Sequence, residues 1–224
     1  MRWLALLLAL GGCDLVFEIH TPGPPGEITF VQANAGDINL GAEVTVPFLI
    51  PTQRGNLIVI GLDWTGTSVL TSITLSNDDT LTPIGVPSDS NGLHAIIYYA
   101  SDISGGPCTV TATLDGMADS LELYVHEYAG IDTADPLDGA AANIGGDTTM
   151  SSGSAQLSRS GDLVFAFAVD GQVSPGPGFT ARSTFNGNLA EDMISGAPGK
   201  YGATATANSF WVFQMAAFRA APQP

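Results

Sequence analysis

Apolar residues recur along this chain in short runs broken by polar turn residues. Glu43 to Phe48 alternates and puts Val44, Val46 and Phe48 on one side, the period of a strand with one buried face. Asn56 to Trp64 and Asp162 to Asp170 are apolar almost throughout, as expected of central strands covered on both faces. Further strands are predicted at Val69 to Ser76, Leu81 to Val86, His94 to Ser101, Cys108 to Leu114, Leu121 to Tyr128, Phe179 to Phe185, Leu189 to Ile194, Gly202 to Ala207 and Phe210 to Arg219. Asn186-Gly187 predicts a tight turn, and Asp115-Gly116 predicts a hairpin between the strands beside it. Turn residues return every 8 to 12 positions or so, the spacing of a sandwich or barrel. Thr133 to Gly146 is the one segment where a short helix is expected.

A repeat runs through this pattern. Gly55-Asn56-Leu57-Ile58-Val59 matches Gly161-Asp162-Leu163-Val164-Phe165, and both lead into long apolar strands. Val110 to Thr113 followed by Leu121 to Gly130 matches Ala203 to Thr206 followed by Trp211 to Ala220. Two similar halves suit the two Greek-key parts of a jelly roll. Composition agrees: Lys, Arg, Glu and Leu, which long helices use in quantity, are scarce beside Gly, Ser, Thr, Ala and Val. The expectation is an all-β fold, an antiparallel two-sheet sandwich of jelly-roll type, over residues 27–221.

The front of the chain reads differently. Arg2, the apolar run Trp3 to Leu10, then Gly11 and Gly12 have the anatomy of a secretory signal, and the run is too short to span a bilayer. Leu10-Gly11-Gly12-Cys13 resembles the bacterial lipobox. That resemblance implies removal of residues 1–12, a lipid on Cys13, and a membrane-anchored lipoprotein facing the periplasm or the cell surface. Residues 13–26, with Thr21-Pro22-Gly23-Pro24-Pro25-Gly26, read as a tether of about 40 Å when extended. The chain carries 6 Lys and Arg against 22 Asp and Glu, a net charge of −16, so nucleic acid and anionic headgroups are excluded as partners.

A second resemblance rests on Gly55-Asn56-Leu57 to Trp64, Tyr98-Tyr99-Ala100, Ile103, Gly105-Gly106, Thr109-Val110-Thr111, Glu127-Tyr128-Ala129-Gly130-Ile131-Asp132 and Asp135-Pro136-Leu137-Asp138. This string resembles a jelly-roll-type domain of bacterial secreted and surface proteins, one that accompanies adhesive or carbohydrate-active modules. It covers roughly residues 28–219 and implies no shared catalytic residue.

Candidate chemistry is sparse. No Gly-x-Ser-x-Gly elbow accompanies the three His residues. Acids that could serve a glycosidase include Asp63, Glu122, Glu127, Asp132 and Asp170, but the pairings are not readable from sequence, except that Glu122 and Glu127 face opposite ways on a regular strand. Along Leu121 to Tyr128, one side is apolar. The other carries Glu122, Tyr124, His126 and Tyr128, a mix of rings and polar groups that suits stacking on and hydrogen bonding to a sugar. Asp132, Asp135 and Asp138 are a candidate structural calcium site, because a hard cation wants many oxygens; no other cofactor is expected. Cys108 reads as a small buried hydrophobe. Taken together, these features predict a non-catalytic binding or adhesive lipoprotein of the cell envelope, with a glycan or an envelope protein as partner. The alternatives are a polysaccharide hydrolase or lyase, and a structural protein that associates with itself.

Overall fold

The computed structural model describes residues 27–222. The leader, Cys13 and the tether lie outside the described residues. The fold is an all-β sandwich of antiparallel strands. In chain order these are β1 (Thr29–Pro47), β2 (Leu57–Thr65), β3 (Leu70–Leu75), β4 (Thr82–Pro83), β5 (Ser88–Ser90), β6 (Leu93–Ala100), β7 (Thr109–Ala129), β8 (Leu137–Gly145), β9 (Thr149–Ser151), β10 (Ala155–Leu157), β11 (Leu163–Val169), β12 (Ser174–Pro175), β13 (Thr180–Ser183), β14 (Leu189–Ile194), β15 (Gly199–Tyr201), β16 (Thr204–Thr206) and β17 (Trp211–Phe218). A 3-10 turn, Phe185–Gly187, separates β13 from β14.

Two sheets form the middle of the molecule. One has the order β1-β7-β2-β6, and the other β8-β17-β11-β14 with β13 at its edge. These orders are the same once β1, β2, β6 and β7 are matched with β8, β11, β14 and β17, so the internal repeat is real at the level of topology. Each half adds an outer layer. In the first half it is the end of β1 and the start of β7, with β3 beside them. In the second half it is β9, β16 and β12. Each half is thus a small antiparallel β-sandwich, and the two are stacked back to back.

Alternation explains the stacking. Ile58, Ile60, Leu62 and Trp64 of β2 face the first outer layer, packing with Val44, Val110 and Leu121. Leu57 and Val59 face the second half and meet Leu163, Phe165, Phe167 and Val212. Val164, Ala166 and Ala168 of β11 face the second outer layer with Phe213 and Met215. Three apolar layers therefore alternate with four β layers, which is why β2 and β11 read as continuous apolar runs. Gly61 lies at the closest approach of the central sheets: a Cβ there would stand 2.8 Å from the Phe167 ring.

Two expectations are corrected. Asp115-Gly116 is not a hairpin turn. Thr109–Thr113 pairs with Pro47–Glu43, and Ala118–Ala129 goes on to pair with Gly41–Thr29 of the same strand, so β7 keeps its direction. Residues 114–117 form a corner where β7 passes from outer to central layer, held by Val69 N–H donating to Asp115 Oδ1 at 2.8 Å and Ser68 Oγ donating to Met117 O at 2.9 Å. The helix expected within Thr133 to Gly146 is strand β8, paired along its length with β17. The Asn186-Gly187 turn is present, with φ of 49° and 81°, the left-handed pair that a tight hairpin turn demands.

Candidate functional site: an acidic cleft between the halves

β2 and β11 end at the same pole of the molecule. Between their ends lies a cleft of about 580 Å³, lined by residues of both halves. Asp63 of β2 and Glu122 of β7 are direct cross-strand partners and stand side by side in its wall. From the second half, Asn188 Nδ2 donates to Glu122 Oε2 at 3.1 Å, and at 3.5 Å to Asp63 Oδ1. Tyr124 donates its hydroxyl to Glu122 Oε2 at 2.5 Å, and Ser120 Oγ donates to Oε1 at 3.1 Å. Asn188 is itself fixed, its Oδ1 accepting the backbone N–H groups of Asp170 and Gly171. Burial, reinforced by the neighbouring charge of Glu122, raises the Asp63 carboxyl well above the usual range. The cross-strand carboxyl of Glu122 adds to the cost of charging Asp63 there. Hydroxyl and amide side chains such as Thr65, Ser90 and Asn91 line the rest of the cleft, and Phe210, 51 % exposed, gives it one open ring face.

The predicted ligand face is not open. Tyr124, His126 and Tyr128 are buried between the central sheets, with ring centroids 5.0 Å from Phe167, 5.0 Å from Phe165 and 6.5 Å from Phe165 respectively. No sugar ring reaches them there. The second half covers this face of the strand, and nothing in one strand's alternation reveals what covers it. Only Glu122 of the four reaches the cleft. Burial lowers the His126 pKa to about 3 and keeps its ring neutral. Tyr128 donates to Asp192 Oδ2, which Arg182 also holds at 2.7 Å.

Asp132, Asp135 and Asp138 each stand against an arginine. Asp132 Oδ1 accepts the N–H groups of Ala134 and Asp135, and its Oδ2 stands 3.7 Å from Arg159. Arg219 pairs with Asp135 at 2.7 Å and with Asp138 at 2.8 Å. Among the described residues, no group of three or more His, Cys, Asp or Glu is placed to hold a metal ion. Glu127, on the opposite face from Glu122, accepts bonds from Gln32, the Gln53 N–H and Asn56, and Cys108 packs in the first apolar layer.

Asp63, Glu122 and Asp170 could be singled out from sequence as acids, but bringing the first two together needs the β2–β7 register. Asn188 carried only a turn signal, and its reach into the other half could not be seen. The fold and site together define a double β-sandwich with an acidic cleft at one pole. No family model matches the chain, and neither a curated protein nor a solved structure shows a match.

Proposed function

We propose that this chain is an envelope-anchored, non-catalytic binding module whose cleft takes a glycan. The observation that carries this reading is the lining of the cleft: closely set carboxyl, amide and hydroxyl groups beside one exposed aromatic ring. Sugars present dense hydroxyls on an apolar C–H face, and that lining answers both. Orientation adds support. β1 enters at the pole opposite the cleft, Thr29 pairing with Ala129 while Asn39 pairs with Ser120. A lipid on Cys13 and the tether behind it would point the cleft away from the membrane. A glycan array and pull-down on cell-wall polymers test the proposal: Glu122→Gln and Phe210→Ala should each weaken binding at least about tenfold, one missing contact of about 1.4 kcal/mol. No binding to any glycan would end it. Mass spectrometry of the mature amino terminus from native membranes tests the anchor.

A second reading has its own observation. Two adjacent carboxyl groups, Asp63 with its pKa raised by burial and Glu122 beside it, are the residue types that glycoside cleavage uses. Release of reducing ends from a bound polysaccharide, lost in both Asp63→Asn and Glu122→Gln, would favour it over simple binding.

A further inference from the structure

Resting on the glycan-binding reading of the cleft, we propose that its ligand is a cationic saccharide, one carrying free amino groups, whose ammonium is received by Asp63, Glu122 and Asp170.

Cationic side chains keep clear of the cleft. Asp63, Asp119, Glu122 and Asp170 line the cleft, and no Lys or Arg does. The basic residues among those described gather elsewhere. Arg54 precedes β2 and Arg159 precedes β11, both at the far pole. Arg219 follows β17 there and pairs with Asp135 and Asp138. Arg182 is bonded to Asp192, which pairs with Phe165 near the far end of β11, and Lys200 lies in β15, paired with β10. His94, the nearest basic side chain, is 3.0 Å from the Asp89 carboxylate. An anionic sugar would meet four carboxyl groups and no cationic side chain there. An ammonium brings three donors to the same place.

The acids are also left incompletely satisfied. Asp63 is only 3 % exposed, yet its one hydrogen bond is the long contact from Asn188 to Oδ1. Its Oδ2 has no partner among the described residues. Asp170 Oδ1 is likewise buried without a donor. Buried carboxyl oxygens normally find partners, and one that lacks a donor, beside an acid held only by a long bond, marks where a ligand's donors belong.

The duplicated fold supplies an internal comparison. Leu57 pairs with Tyr128 in the first half and Leu163 with Phe218 in the second. Counted along from there, the Asp63–Glu122 pair corresponds to Val169–Val212. Two valines serve at the matching place in the same topology, so the architecture does not demand the acids.

The test is calorimetric titration of the intact chain with a glucosamine tetramer, its N-acetylated counterpart and a glucose tetramer. The amine form should bind at least about tenfold more tightly than either neutral form, and the difference should shrink in about 0.5 M salt. Glu122→Gln should remove most of it. Asp119→Asn, at an exposed rim position that cannot unfold the protein, should reduce it by a few-fold. Equal binding of the acetylated and amine forms would overturn this inference while leaving the glycan reading intact. Binding of no saccharide would overturn both.

Discussion

Glu191 bears an energetic penalty for its burial. It is fully buried on β14, and neither carboxyl oxygen has a hydrogen-bond partner. Burial, helped by the neighbouring Asp192, pushes its pKa up to about 7 from an ordinary 4.5. The folded state therefore holds this proton at pH values where the unfolded chain has lost it. Stability from this group is complete below pH 4.5 and declines as the pH climbs from there to about 7. Glu191→Gln should flatten that part of the urea-midpoint profile and raise stability above pH 7 by roughly 1–3 kcal/mol. An unchanged difference between variant and parent across that range would count against the assignment. His126 works in the opposite sense. Its folded pKa of about 3 lies below an ordinary 6.5, so the unfolded chain gains a proton first and stability falls as the pH drops from about 6.5 toward 3. His126→Phe should remove that acid-side loss in the same measurement. Leu40 adds a backbone penalty, being 66 % exposed with a φ of 53°. That conformation costs a bulky side chain about 1–2 kcal/mol, so Leu40→Gly should raise the melting temperature.

Among the elements, β2 and β11 show how closely the central sheets depend on one glycine. Any Cβ at Gly61 would press on the Phe167 ring. Gly61→Ala should cost about 1–3 kcal/mol by overpacking, and the cost should fall in a Phe167→Leu background, a coupling that a double-mutant cycle reads directly. These same strands were the most legible part of the sequence, because burial on both faces leaves an unbroken apolar run. The Asn186-Gly187 turn was legible for a local reason too, two consecutive residues suited to positive φ. Elsewhere the local signal misled. Asp115-Gly116 has the chemistry of a hairpin turn, but the pairing of both flanks with β1 turns it into a corner. The first half of β1 and the small-residue segment of β8 lie at sheet edges, where partial exposure blurs the alternation. Glu122, Tyr124, His126 and Tyr128 share one side of β7 as the alternation required. Whether that side meets water or another sheet depends on a layer contributed by the second half, through residues such as Phe165 and Phe167.

At the scale of the whole molecule, the arginines stand apart from the cleft. The amino-terminal pole carries Arg54, Arg159 and Arg219, and the cleft pole is acidic. Surface capture should report this polarity. Chain immobilised through its amino terminus should keep its ligand binding, whereas chain captured through a biotinylated Asn91→Cys at the cleft should lose it. Equal binding in both orientations would mean that the ligand sits elsewhere.

The back-to-back stacking of the two sandwiches has one more consequence. The halves are joined by the stretch Gly130 to Pro136, and each is sealed on its outer side by its own strands, so the only large oily surface either would bare on separation is the one that fits its neighbour. A protease nick in that joint should leave two pieces that elute together, and the pieces, made apart, should find each other when mixed. The molecule is in effect a preformed complementation pair, ready to be cut in two and used to report when its fragments meet.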